Sequence, residues 1–296
     1  MKAAPFRYIR PPSLDEALAE LRHAGDGGKV LAGGQSLVPV LAMRLARPDT
    51  LIDINAIAAL GRLRLDGGYL EIGATVRQRQ VERSAEAAAV PLLGMALPWV
   101  GHRELRSRGT VCGSLAHADP AAELPAVSSC LDASIAIAGP GGYRAIRARD
   151  FFLGAMTTAL APDEIITAVR FPAAGPGEGF GFAEIARRHG DFALAGAVTR
   201  VRQNGEATLT GFGISDRPVT RAVTGELTEA LQACGGREHP AAPAELADAL
   251  GGPLNAVAEE MADTEGDVHA SAGYRRRLFR VLAARELARA YHRTLS

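Results

Sequence analysis

Two stretches of this chain carry residue types able to grip phosphate with main-chain groups: residues 29–36, KVLAGGQS, and residues 109–123, GTVCGSLAHADPAAE. In the first, Gly33 and Gly34 permit positive φ and close backbone approach, so successive N–H groups can form a concave anion nest. Gln35 and Ser36 add side-chain donors at its rim. In the second, Thr110, Gly113 and Ser114 repeat the recipe beside Gly109, and Asp119 and Glu123 follow as acceptors. A pyrophosphate needs donors and a ribose takes a carboxylate partner, so the stretches read as two halves of one dinucleotide site. A Gly-Gly pair alone also marks a plain turn; the occurrence of two such stretches is what points to a ligand. The G-x-G-x-x-G fingerprint and the P-loop are absent. The nearest approach, GPGEGFG from Gly175, has the wrong spacing and reads as a linker, which argues against a nicotinamide-type Rossmann domain.

Other polar residues support no independent chemistry. His117 could polarise a carbonyl, contact a phosphate, or simply bond to backbone. Asp119 and Glu123 are four apart and share a helical face if the helix starts early. Asp119 also suits the N-cap before Pro120 at N1. Arg103, Arg106 and Arg108 form a basic run before the second stretch that could neutralise pyrophosphate, or form a solvated face or a subunit contact. Arg187–Arg188–His189 has the same ambiguity. Trp99 suits a core or an interface. No Ser-His-Asp or Cys-His arrangement and no metal-ligand cluster is present, so catalytic and metal residues are read as none.

The elements that must position these stretches follow from periodicity and punctuation. Ser13–Glu16 is a capping box opening a helix over 14–23, closed by Gly25. Short strands are expected at 29–32, 50–54 and 69–74, with a helical segment at 37–45 and Thr75 capping the helix after 74. Pro91 and Pro98 bracket a short apolar helix. A helix over 123–131 follows the second stretch, then a hairpin of 134–137 and 143–146, then a strand at 164–171. Residues 173–179 read as the linker. Beyond them, strands at 193–202 and 207–212 flank Asn204-Gly205, a strong hairpin signal. Residues 234–267 hold only short helices. The tail is helical, with Tyr274, Val281, Ala288 and Leu295 on one apolar face, widened by Leu278 and Leu282, and arginines opposite. The result is an α+β N-terminal half and a C-terminal sheet with helices on one side.

Composition narrows the class. The chain has 296 residues, is 47% hydrophobic, and balances 33 Lys plus Arg against 33 Asp plus Glu. That suits a folded core and gives no net field toward nucleic acid or anionic membrane. The N-terminal residues lack an apolar signal core, and no run is long enough for membrane insertion. Cys112, Cys130 and Cys234 form no zinc or iron–sulfur pattern and suit a reducing, cytoplasmic compartment.

At the two glycine stretches the sequence resembles a known family. AGGQSLVPVLAMRLARPDTLIDI and RGTVCGSLAHADPAAELPAV are similar to the two flavin-binding motifs of the medium subunit of molybdenum hydroxylases, the carbon monoxide dehydrogenase and xanthine dehydrogenase group. The resemblance continues through DFFLGAMTTALAPDEIITAVRFP, ARRHGDFALAG and DVHASAGYRRRL. It implies a two-lobed FAD-binding domain of the vanillyl-alcohol-oxidase/PCMH type at 1–175, with lobes of about 1–56 and 57–175, and a smaller α/β domain at 176–296. It places Leu31, Ala32, Gly33, Gly34, Gln35, Ser36, Leu37 and Val38 along the pyrophosphate and ribityl part of FAD. Gly109, Thr110, Gly113, Ser114, His117, Asp119 and Glu123 would lie opposite, with Ile165 and Ile166 as an apolar shelf and Asp191 and Phe192 beside the isoalloxazine. The family pattern has Gly-Gly where this chain has Cys112-Gly113, which is tolerable if Cys112 keeps negative φ and points its side chain away. The implied activity is electron transfer, with a small 2Fe-2S subunit and a large molybdopterin subunit as partners in a dimer of heterotrimers. The arginine-rich C-terminal helix is a candidate docking surface. A self-sufficient FAD oxidase or reductase with the same cofactor domain is the alternative.

Overall fold

The computed structural model describes residues 2–236 and 241–295. It opens with a small parallel sheet of β1 (Arg7–Ile9), β2 (Gly28–Leu31) and β3 (Thr50–Asp53), in the order β1-β3-β2. Helix α1 (Leu14–Ala24) buries Ala17 and Leu21. The Ser13 Oγ accepts from the Glu16 N–H at 3.2 Å, and the Glu16 carboxylate returns to the Ser13 hydroxyl at 3.1 Å rather than to its N–H. Gly25 ends the helix at φ 52°. Short helix α2 (Leu37–Ala42) follows β2.

The second sheet is antiparallel and runs β4-β5-β10-β6-β7. Its strands are β4 (Leu63–Asp66), β5 (Tyr69–Gly73), β6 (Ser134–Gly139), β7 (Gly142–Arg147) and β10 (Ile165–Pro172). Between them lie α3 (Gln78–Arg83), α4 (Pro91–Ala96), α5 (Arg103–Arg106), α6 (Val111–His117), α7 (Glu123–Cys130) and α8 (Ala148–Phe151), then the hairpin of β8 (Phe152–Gly154) and β9 (Thr157–Thr158). Thr75 caps nothing: α3 starts after Arg77, whose N–H donates to the Gln80 side chain at 2.7 Å.

The third sheet is the antiparallel meander β11 (Gly179–Ala186), β12 (Ala193–Val201), β13 (Ala207–Phe212) and β14 (Val219–Ala222). Helices α9 (Thr224–Ala233), α10 (Pro243–Leu250), α11 (Leu254–Met261) and α12 (Ala272–Arg293) follow. The expectation of short helices at 234–267 holds for the described part, 237–240 lying outside it. Helix α12 packs on one face of β11 and β12, while α4 and α7 contact the same sheet from the N-terminal half. Phe180, Phe182, Val198 and Phe212 therefore join the large N-terminal core, whereas Ala195, Ala197, Leu209 and Val201 join α9–α12. The C-terminal helices thus lie on one side of their sheet, as expected, and the N-terminal half covers the other.

Strand β11 was read as the end of a linker because of its glycines, and those glycines serve packing. A Cβ on Gly179 would lie 1.8 Å from the Ala290 carbonyl oxygen, and one on Gly181 would lie 2.5 Å from that of Glu286. Only bare backbone lets α12 approach this strand so closely. The apolar face expected for the tail helix is corrected too. Tyr274 and Leu295 are exposed, and the buried stripe runs through Arg275, Phe279, Leu282, Glu286 and Tyr291. Leu282 and Ala288 of the expected face are buried and Leu278 packs beside them, but the stripe is turned because Arg275 faces inward, donating to the carbonyls of Leu194 (2.6 Å) and Gly213 (2.9 Å); the exposed Arg293 donates to that of Phe180. One side of the helix is thus an internal prop, while Arg277, Arg285 and Arg289 remain exposed on the other.

Candidate functional site

The two glycine stretches, some seventy positions apart in sequence, meet backbone to backbone. A Cβ on Gly33 would fall 2.5 Å from the Arg108 carbonyl oxygen and 2.7 Å from the Gly109 Cα. Gly34 turns the chain at φ 72°. The Val38 N–H returns to the Gly34 carbonyl at 2.9 Å, and the Gln35 amide donates to the Gly33 carbonyl at 3.2 Å. Among the described residues no acceptor meets the N–H groups of Gly33, Gly34, Gln35, Ser36 or Leu37. A run of free donors on a left-handed turn is the donor set an anionic phosphate requires. The chain's residues therefore fit a pyrophosphate here.

The second stretch is built differently. Thr110 caps α6, its Oγ1 accepting from the Gly113 N–H at 2.9 Å. A Cβ on Gly113 would sit 2.6 Å from that oxygen. The Gly109 carbonyl accepts from the Gln78 N–H at 2.8 Å. Cys112 lies inside α6 without positive φ, buried, with its Sγ 3.5 Å from the Ile72 carbonyl oxygen. Burial pushes its thiol up to about 12, so it stays neutral and inert. The departure from Gly-Gly is thus accommodated in the way the sequence required. His117, half-buried, ends the helix before Ala118, which adopts φ 51°. The Ala118 carbonyl is held by the Met156 N–H (3.0 Å) and the Pro120 carbonyl by the Gly213 N–H (2.9 Å). Asp119 caps the turn that follows, accepting from the Ala121 N–H at 2.8 Å. Helix α7 starts later, after Ala122, so Asp119 is not its N-cap.

Glu123 opens α7 and is buried; burial, with the Asp119 charge adding, raises its carboxyl to about 7. Facing it electrostatically is Glu184 on β11, 5% exposed, with neither carboxyl oxygen hydrogen-bonded. Burial first, and the Glu123 charge second, push Glu184 up to about 9. Nothing in the sequence distinguished Glu184 from a surface strand residue.

A polar clamp, also missed, ties the two stretches together. Asp53, buried at the end of β3, accepts from the Tyr8 hydroxyl and, at 2.9 Å, from the Asn55 N–H. Burial opposes its ionisation, but these bonds and the nearby Arg10 hold its carboxyl below the usual range. Asn55 donates to the Ala32 carbonyl at 2.8 Å and accepts from Arg77 at 2.6 Å. Arg77 then donates to the Arg108 carbonyl at 2.8 Å. One relay of side chains thus fixes a carbonyl on each side of the glycine junction, each such bond contributing on the order of 1 kcal/mol.

The remaining candidates lie apart from the junction. Asp191 and Phe192 line a cleft of about 270 Å³ with Pro120, Ala121, Arg187 and His269. Asp191 accepts from Arg187 at 3.0 Å, and Phe192 is 67% exposed. This cleft joins the end of the second stretch to the C-terminal half. Gly190 packs on Gly101 and His102, and His189 lies edge-on to Trp99 at 5.6 Å. Ile165 and Ile166 sit in the central strand β10, 2% and 5% exposed, paired with Ala138 and Ile137, and give little side-chain surface to either region. Leu31, Ala32 and Leu37 are half-buried and Val38 exposed around the nest. Arg106 is no solvated cation: it is buried, holds Glu82 through two nitrogens at 3.1 and 3.3 Å, and donates to the carbonyls of Val100 and Gly101.

Residues 4–174 match the family model described as the FAD binding domain in molybdopterin dehydrogenase. The chain belongs to that family. It is 36% identical to the alpha subunit of the 6-hydroxypseudooxynicotine dehydrogenase complex of Paenarthrobacter nicotinovorans, over 99% of this chain and 97% of that one. The medium chain of carbon monoxide dehydrogenase from Hydrogenophaga pseudoflava is 35% identical over 88% and 90% of the two chains. A solved structure of carbon monoxide dehydrogenase from the same organism, lacking the Mo-pyranopterin moiety, superposes with a TM-score of 0.86, 30% identity and 99% of each chain covered. The protein is an α+β, FAD-binding oxidoreductase subunit of this medium-subunit group. Among the described residues no helix is long and apolar enough to cross a membrane.

Proposed function

We propose that this chain is the FAD-carrying electron-transfer subunit of a heteromeric molybdenum hydroxylase, receiving electrons from the 2Fe-2S centres of a small subunit and passing them to an external acceptor. A large molybdopterin subunit would complete the complex, as a dimer of heterotrimers in the cytoplasm. Residues 1–175 would form the FAD-binding domain, with lobes of about 1–56 and 57–175, and residues 176–296 the C-terminal domain. The observation that carries the reading is the junction of Gly33 on Gly109 beside five unpartnered N–H groups, which fits a bound pyrophosphate. When bound, FAD supplies a carrier that exchanges electrons singly or in pairs.

The chain's own residues do the holding. Gly33 to Leu37 donate to the pyrophosphate, with Leu31, Ala32 and Val38 flanking it. Gly109, Thr110, Gly113, Ser114, His117 and Asp119 close the opposite side. Glu123 lies buried behind that side, its carboxyl raised by burial. Asp191 and Phe192 edge the cleft at the end of the second stretch, and Ile165 and Ile166 back the cofactor from within β10.

The test is isolation of the native complex. Flavin absorbance with co-purifying iron and molybdenum is the expected result. A flavin-free chain, or turnover of a simple substrate by the isolated chain, would overturn the reading.

A further inference from the structure

Beside the glycine junction lies a second open cleft, of about 390 Å³, lined by Arg77, Arg79, Gln80, Arg83, Ser84 and Ser107. Its charge is lopsided. Residues 77–83 and 103–108, whose helices α3 and α5 pack together, each carry three arginines against one glutamate, in a chain whose charges otherwise balance. Of the two glutamates only Glu82 is ion-paired, and it is shared between Arg79 at 2.8 Å and the buried Arg106. Arg77 has only neutral acceptors, Asn55 and the Arg108 carbonyl, and both burial and the Arg108 charge disfavour its charged form. Among the described residues Arg83 and Arg108 have no ion-pair partner. Of the remaining lining groups, Ser84 and Ser107 spend their hydroxyls on the backbone at Val81 and Arg103, while the Gln80 amide nitrogen is free, its oxygen holding Arg77.

Three guanidinium groups lining one cleft with Glu82 as their one paired carboxylate, and Arg83 unpaired among the described residues, leave net positive charge for a ligand with several anionic oxygens. The cleft's volume lies at the lower end of the ordinary range for small-molecule sites, and it is open to solvent. We infer that this cleft binds the di- or polyphosphate group of a small molecule, at a site separate from the flavin nest and joined to it through Arg77. The site does not depend on the flavin-subunit reading: it would exist on this chain even if the nest held another dinucleotide.

The test uses the flavin-saturated protein, so that the nest is filled, and titrates inorganic pyrophosphate and, separately, ADP by calorimetry at fixed low ionic strength. Saturable binding of both is expected. It should weaken by about tenfold or more in Arg79→Ala/Arg83→Ala, while visible flavin absorbance stays unchanged. Arg83→Glu alone serves if the double variant misfolds. Absence of saturable binding at millimolar pyrophosphate, equal binding by wild type and variants, or binding of polyglutamate in place of pyrophosphate would overturn the assignment. Loss of flavin from the wild type during purification would count against the flavin reading and leave the titration of this cleft interpretable.

Discussion

The two glycine stretches look alike in sequence and do different physical work. The first keeps its backbone donors free: from Gly33 to Leu37 no N–H has an acceptor among the described residues. The second commits the N–H groups of its glycines within the chain, Gly109 donating to the Leu105 carbonyl at 2.7 Å and Gly113 to the Thr110 hydroxyl at 2.9 Å. One stretch is a cradle; the other is a wall whose glycines allow close packing. The contrast teaches that a small residue marks either a bound ligand or a neighbouring backbone, and that the fate of the adjacent N–H groups decides which.

The strongest way to break the contrast is Gly33→Val, which places side-chain atoms against the Arg108 carbonyl and pushes the stretches apart. Flavin retention should be abolished, with a stability loss of about 1–3 kcal/mol from overpacking, read by visible absorbance and thermal unfolding. A variant that keeps its flavin would show that the junction is not the site.

Next in size is Glu184→Gln, which probes the wall from beneath. The Glu184 carboxyl is raised to about 9 in the folded protein, against an unfolded value of about 4.5. Between those values the native state binds a proton that the unfolded state has released. Wild-type stability should therefore fall as pH rises from 4.5 to 9 and level off above, with a contribution of at most ~1.4 kcal/mol per pH unit from this group. The glutamine variant should unfold at higher temperature than wild type at pH 8 and show a shallower pH dependence. Superimposable melting curves across that range would remove Glu184 from the account.

Gly34→Ala tests the cradle alone. At φ 72° an alanine costs about 1–2 kcal/mol of backbone strain, and its Cβ would meet Leu31 and Val38 at 3.3 Å. Flavin affinity should drop by about an order of magnitude with the fold retained, measured by equilibrium dialysis.

Thr110→Ala should have the smallest effect. Loss of the α6 cap costs about 1 kcal/mol in thermal stability and, because the cradle's donors are untouched, should weaken flavin binding less than Gly34→Ala does. If Thr110→Ala released flavin as readily as Gly34→Ala, the distinction between cradle and wall would fail.

Much of the frame was legible because it rests on local chemistry. Ser13 and Gly25 bound α1, Pro91 opens α4, and Gly205 turns the hairpin at φ 91°. What escaped were β1, β4, β8, β9, β11 and β14: all but β11 are two to four residues long, and β11 is interrupted by glycines. Of these, β1 takes a partner far along the chain, β3, while the others pair with a neighbouring strand and lack the length or alternation that would mark them. Arg275 of α12 was misplaced because a buried arginine is favourable only when carbonyls such as those of Leu194 and Gly213, remote in sequence, converge on it.

By itself the sequence marked two stretches of small residues and the glycines in them able to turn the chain or admit close backbone approach, because φ and Cβ volume are properties of single residues. Only the tertiary structure decided that Gly33 lies against Gly109, that Asp53, Asn55 and Arg77 bind the stretches together, and that Glu123 and Glu184 face each other out of water. Those facts are distances between residues remote in sequence, and packing, not local preference, sets them.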